Sequence, residues 1–350
     1  MTLMLNINTS IAVLAFTLPN PFAVAETVRM FNWEEYLAPA VISAFEQETG
    51  HNVEQFYLDN EQQRDAMLLS GHGDNFDLVV IDSQALKTDG EKTYFVDIPM
   101  HKIANSAQLT QASQLACGRK GLPYAWGTLG IAYRASANPQ GIDSWQALFD
   151  IAPGNQQKTI MLEDAIDSTG LSLIALGLPP YSEDKDDLKQ AYALLKKQRV
   201  HLHSYGYGLS HAIDLQAASD ITMAVAYSGD TKHFIKATGQ QDWRYTIPRE
   251  GTIIWTDCLA MPHRDSPIKT ATIEFLNFIS RPDIALLNAE TIGLATPNLG
   301  ALEIARDDYK NDRELFSSPA ILAKSHYVKT LSNEQLKIRS RILQKLIHND

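Results

Sequence analysis

Thr27-Val-Arg-Met-Phe31, Pro39-Ala-Val-Ile-Ser-Ala-Phe-Glu-Gln-Glu-Thr49 and Asn52-Val-Glu-Gln-Phe-Tyr-Leu58 follow one another with short joints between them. The first is a short apolar strand candidate. The second carries Val41, Ile42 and Phe45 at helical spacing and stops at Gly50, and the third alternates as a strand. Strand, helix and strand of these lengths make a parallel pair joined by a right-handed crossover. Working outward, residues 61–70 read as a helix ended by Gly71, and 76–81 as a continuous apolar strand. A second set begins at Thr159-Ile160-Met161-Leu162, with helices over 171–178 and 185–197 and a strand over 221–227. Cys258-Leu259-Ala260-Met261 is a further buried strand, and helices follow over 268–279, 284–291 and 333–346. Two such sets predict an α/β chain of two lobes, each a mainly parallel sheet flanked by helices. The 350 residues suffice for two compact cores, and no long linker or internal repeat separates them.

A hydrophobic content of 45% with five Trp and 13 Tyr describes a globular chain. The net charge of -11, from 41 acids against 30 bases, repels nucleic acid and anionic lipid and attracts cations, so no nucleic-acid partner is expected. Residues 1–25 hold no charged side chain. Their apolar run over 11–16 leads through Pro19 and Pro21 to Ala23-Val24-Ala25, ahead of Glu26. This fits a signal peptide over 1–25 and release into the periplasm, although the usual early Lys or Arg is missing. Cys117 and Cys258 allow one disulfide in an oxidising compartment or two semi-buried thiols. Neither lies in a CxxC or a Cys/His cluster, which argues against a zinc site.

There is no HExxH, GxSxG or P-loop. His201 and His203 share a strand face without a third ligand nearby. No catalytic residue, metal or cofactor is therefore expected. Rings and acids do recur where strands end: Asn32-Trp33-Glu34-Glu35-Tyr36, Glu163-Asp164-Ala165-Ile166-Asp167, Tyr227-Ser228-Gly229-Asp230 and Trp255-Thr256-Asp257. Pockets in such sheets open beyond the carboxyl ends of the strands and between domains. Converging there, carboxylates would replace the hydration of an ammonium, and Trp or Tyr faces would wall its methylenes and attract its charge. Taken singly, each ring is a core residue, and Asp164 and Asp167 are helix caps.

At these residues the chain resembles the periplasmic spermidine/putrescine-binding proteins, members of the type II solute-binding fold. The resemblance rests on Asn32-Trp33-x-Glu35-Tyr36, Phe45-x-x-Glu48-Thr49-Gly50, Asp77-Leu78-Val79-Val80, Pro123-Tyr124-x-Trp126-Gly127 and Ser144-Trp145-x-x-Leu148. It continues through Trp255-x-Asp257-x-Leu259-Ala260-x-Pro262, Asn277-Phe278, Arg281-Pro282-Asp283, Ala289-Glu290-Thr291-Ile292-Gly293 and Thr296-Pro297-Asn298. The resemblance implies a first lobe over 26–133 and 257–301 and a second over 134–256 and 302–350. It implies aromatic walls from Trp33 and Tyr36, with Glu35 helping to hold an ammonium. It also implies an acidic pair at Asp164 and Asp167, a ring at Tyr227, and a ring with a carboxylate at Trp255 and Asp257. Departures from the family pattern fall at Glu34, at Asp82 and Gln84 flanking Ser83, at Tyr227 where Trp is common, and at Leu294. All of Glu34, Asp82, Ser83 and Gln84 are counted in the expected ligand site. The stretch after about residue 310 lies outside the resemblance.

Together, pattern and resemblance predict a monomeric binding protein, not an enzyme, that closes on a linear polyamine by a hinge near Tyr133 and Trp255. Glu35, Asp164, Asp167 and Asp257 supply enough charge to favour a triamine (spermidine or norspermidine) over putrescine. The partner is either an inner-membrane ABC permease or the periplasmic domain of a receptor controlling cyclic di-GMP, as in the norspermidine sensors. An exported hydrolase using two carboxylates, or a binder of another cationic solute, is the alternative.

Overall fold

The computed structural model describes residues 24–58, 61–88, 94–216 and 219–348. Residues 1–23, nearly all of the expected signal peptide, lie outside the described residues. Eleven strands are present among the latter: β1 (Thr27–Trp33), β2 (Asn52–Leu58), β3 (Leu78–Asp82), β4 (Phe95–Val96), β5 (Gly121–Arg134), β6 (Thr159–Met161), β7 (Ser204–Tyr205), β8 (Met223–Tyr227), β9 (Trp243–Thr246), β10 (Ile253–Pro262) and β11 (His326–Tyr327). They lie in the order β2-β1-β3-β10-β5-β8-β6-β7, with β4 and β11 on β10 and β9 on β5.

The opening stretch folds as its pattern dictates. β1 pairs in parallel with β2 over its whole length, and the helix Pro39–Thr49 crosses between them. Pro39 pre-sets the first turn, and Gly50 ends the helix at φ 73°, which only glycine adopts without strain. Phe45, fully buried, meets Phe275 edge-on at 5.1 Å; burying a Phe side chain contributes about 1.5–3 kcal/mol. The parallel runs β2-β1-β3 and β8-β6-β7 belong to different cores. One core gathers Val28, Met30, Phe45, Leu78, Leu259 and Phe275; the other gathers Leu129, Trp145, Met161, Leu171, Leu195 and Ile253.

β5 and β10 connect the two. They pair antiparallel from Gly121 to Thr128, with a bulge at Asp257/Cys258, and β5 takes up β8 from Leu129 onward. The sheets are thus mixed: parallel outer strands meet two long antiparallel strands that run through both lobes. β5 tolerates its glycines because side chains fill their place. A Cβ on Gly127 would meet Trp255 and Ser228, and one on Gly130 would meet the Tyr245 ring. Cys117, the last residue of the helix Gln111–Cys117, is disulfide-bonded to Cys258 with Cα atoms 5.8 Å apart. That bond fixes β10 one residue beyond Asp257. Farther on, Tyr309 and Leu315 pack with Ala289 and Ala295, with Trp126 of β5 against them.

Candidate functional site

The first wall is assembled from residues far apart in sequence. After β1 the chain turns at Trp33–Tyr36, with Tyr36 N–H donating to the Trp33 carbonyl (3.3 Å) and Glu35 at φ 58°. The turn aims Tyr36 at β10, where its Oη donates to Asp257 Oδ2 (2.6 Å). The Tyr36 carbonyl accepts from Tyr124 Oη (2.5 Å), which accepts in turn from Asn288 Nδ2 (2.9 Å). Asp257 stands directly opposite Asp82 in the β3–β10 ladder, a spacing at which like charges repel. Asp82 Oδ1 accepts from Ala85 N–H (2.7 Å), and Arg64 Nη1 donates to its Oδ2 (3.4 Å). Burial pushes the Asp257 carboxyl up to about 6. The Tyr36 hydroxyl and Arg64 charge oppose that rise, and Asp82 adds to it. Burial, then Asp257, raises the Tyr36 phenol well above its ordinary range.

The second wall is built locally. Asp164 is the N-cap of the helix Ala165–Ala175, its Oδ1 accepting from the N–H groups of Ile166 (2.9 Å) and Asp167 (2.7 Å). This helix starts six residues before the expected 171, because the cap makes Ala165-Ile166-Asp167 its first turn. Burial raises the Asp164 carboxyl; the two N–H groups oppose this and the charge of Asp82, from the other wall, adds to it. Tyr227 ends β8 with its ring 6.2 Å from Trp255 and 5.8 Å from Tyr207. Behind these rings Asp230, 8% exposed, accepts from Tyr207 Oη (2.7 Å) and Tyr227 N–H (2.8 Å). Burial pushes it up to about 7, against both hydrogen bonds and with help from Glu314. Glu314 accepts from the N–H groups of Gly229 (2.9 Å) and Thr231 (3.0 Å), placing its charge on the N-terminus of the helix Asp230–Thr238. Any side chain at Gly229 would lie 2.6 Å from the Gly293 carbonyl, so the backbones of the two regions touch here.

Of the expected residues, Tyr36, Asp82, Asp164, Tyr227, Trp255 and Asp257 are linked through these bonds, ring contacts and mutual fields. Asp167 is half-buried beside Asp164 on the same first turn, and its charge acts on Tyr181. Trp33 is half-buried between two apolar clusters of the first lobe. Ser83 is buried and Gln84 half-buried at the start of the helix Ser83–Thr88. Glu34 and Glu35 are exposed and stand outside the bonded cluster. Arg64, Tyr207 and Asp230 were not among the expected site residues. Asp230 had a signal, since it closes the strand-end stretch Tyr227-Ser228-Gly229-Asp230. Arg64 had none: Gln-Gln-Arg-Asp reads as a solvated helix face, yet Arg64 is 1% exposed. A cavity of about 20 Å³ beside Tyr124 and Asn288 holds one water at most and is lined by none of the acids. Among the described residues no group of three His, Cys, Asp or Glu could hold a metal.

Two α/β lobes sharing a pair of central strands, with carboxylates and rings facing across them, define a two-lobed solute-binding protein of the type II arrangement. The chain belongs to the bacterial extracellular solute-binding proteins, whose family pattern matches residues 40–317. It is a binding protein and not an enzyme, which removes the hydrolase alternative. It is 31% identical over 326 residues to the norspermidine sensor of Vibrio cholerae serotype O1, covering 93% of this chain and 90% of that protein. The spermidine/putrescine-binding periplasmic protein of Escherichia coli (strain K12) is 26% identical over 305 residues, 83% of each chain. Among solved structures, the spermidine/putrescine ABC transporter substrate-binding protein of Streptococcus pneumoniae superposes with a TM-score of 0.81 at 21% identity, over 92% of this chain and 98% of that one. Among the described residues no helix is long and apolar enough to cross a membrane.

Proposed function

We propose that this chain is a periplasmic, monomeric receptor for a linear polyamine, held between the two walls and favouring a triamine over putrescine. The observation that carries the reading is the Tyr36–Asp257 pair on one wall with Asp164 within electrostatic reach of Asp82 on the other. Acids on both walls, with the Trp255 and Tyr227 rings in contact with each other, suit ammoniums separated by methylenes. In this reading the ligand residues are Trp33, Tyr36, Asp82, Asp164, Asp167, Tyr227, Trp255 and Asp257, with Glu34, Glu35, Ser83 and Gln84 at the margin. We take the lobes to divide at 133/134, 256/257 and 301/302, the end of β5 from Leu129 already packing in the second core. Ligand touching both lobes favours the closed state, which a membrane protein then reads.

Signalling through a membrane receptor that controls cyclic di-GMP is the reading we favour, supported by the 31% relative, a norspermidine sensor. Delivery to an ABC permease is the second reading, supported by relatives named as spermidine/putrescine-binding proteins at 24–26% identity. Neighbouring genes for a receptor, or for a permease and ATPase, separate the two. Calorimetry on refolded, ligand-stripped protein tests the ligand: norspermidine and spermidine bind more tightly than putrescine. Tighter binding of putrescine overturns the triamine preference, and no heat from any of the three overturns the polyamine reading.

A further inference from the structure

We infer that Arg64 is a built-in cation of the first wall that sets how many ligand ammoniums the cleft accepts, a specificity role resting on the polyamine reading above. The guanidinium is not a surface charge: Arg64 is 1% exposed, and its Nη1 reaches Asp82 Oδ2 at 3.4 Å. Asp82 is the cross-strand neighbour of Asp257, so Arg64 stands beside two carboxylates on one face of the ladder. Its charge also acts on Asp257 itself, the acid that Tyr36 holds at the cleft. A polyamine ammonium drawn to Asp257 therefore meets a fixed positive charge already in place. Each further ammonium is repelled by the same charge, and that repulsion grows with the number of ammoniums the ligand brings. Asp82 acts in the opposite sense because its own charge is negative, and its field reaches as far as Asp164 on the second wall. The pair sets a charge balance that discriminates diamine from triamine, with Arg64 acting through Asp82 and its field rather than by touching the ligand.

Arg64 also donates through Nε to Asp65 Oδ1 (3.0 Å), and a purely structural ion pair would tie the helix Glu61–Leu69 to β3. A structural role would change affinity for every amine together; a charge-counting role changes their ratio. The experiment is therefore a charge cycle read as the ratio of putrescine to norspermidine dissociation constants by calorimetry. Arg64→Gln raises that ratio about tenfold, because removing one positive charge favours the more highly charged ligand. Asp82→Asn lowers it by about the same factor, and the double variant returns to within about threefold of the wild type. Should Arg64→Gln fail to fold, Arg64→Met, uncharged and of similar length, makes the same test with the same expected rise in the ratio. Folded single variants whose ratios stay within about twofold of the wild type overturn the inference. If the wild type binds neither amine, the polyamine reading itself has failed.

Discussion

On the first wall Asp257 is held by a phenol 221 residues away in sequence, whereas on the second Asp164 is held by the N–H groups of its own next turn. The first arrangement depends on tertiary structure: a turn after β1, a strand brought back from residue 253, and Tyr124 and Asn288 bracing the turn from behind. The second would exist in any copy of that helix start, since an Asp at the N-cap serves itself. An acid held by a distant partner is available to a ligand at little structural cost when it is changed. An acid that caps its own helix does two jobs, and replacing it disturbs both.

The largest effect that separates the walls is on binding. Asp257→Asn leaves an ammonium without its ionised partner, and calorimetry will show a loss on the order of 2–5 kcal/mol in norspermidine affinity. Above about pH 6 its unfolding temperature without ligand will not fall. The Asp257 carboxyl sits at about 6 in the folded protein, above its unfolded value. Its contribution to stability is thus present below about pH 4 and lost as pH rises through about 6. Above that range the Asn variant matches or exceeds the wild type. A substantially lower unfolding temperature well above that range would show that Asp257 is structural after all.

Next comes pH. Cation binding requires the ionised carboxylate, so below about pH 6 binding expels the proton that burial holds on Asp257. One group at about 6 makes norspermidine binding about tenfold weaker at about pH 5 than at about pH 7.5. Titrations in buffers of different ionisation enthalpy will report the released proton, and a flat profile would remove Asp257 from the ligand.

The smallest effect belongs to the second wall. Asp164→Ala removes a side chain accepting two backbone N–H groups and will lower stability by about 1 kcal/mol, in addition to weakening binding. For a chain of this size that is about 1–2 °C in thermal unfolding. Asp164→Asn keeps the cap and restores the temperature but not the affinity, which splits the two jobs.

Much of this was legible because it is local. The strand–helix–strand over 27–58 announces itself through periodicity and the Pro39 and Gly50 punctuation. The acids and rings at strand ends mark the site because doubly wound sheets put their pockets there. β5 was not legible. Gly121, Pro123, Gly127 and Gly130 read as breakers, and only the folded neighbours Trp255 and Tyr245 explain why a strand of 14 residues tolerates them. β7 and β9 are too short to show a period. Arg64 was invisible for a different reason. Burial of a charge in mid-helix is decided by what packs over it, not by its neighbours in sequence. The cysteine pairing was open from sequence, and the fold joins Cys117 to Cys258.

The two strands shared by both lobes also govern how this chain can acquire its structure. β10 lies at the middle of the strand order, between β3 and β5, yet it is the tenth strand made. A chain emerging from its N-terminus can form β2-β1-β3 early, but that sheet stays open along β3 until residues 253–262 arrive. The other lobe also lacks Ile253 of its core until then. Pairings this distant place the chain among slow folders, with an edge strand exposed for most of synthesis. Neither lobe exists as a contiguous fragment, so truncation before residue 253 yields two unfinished sheets and no separable domain.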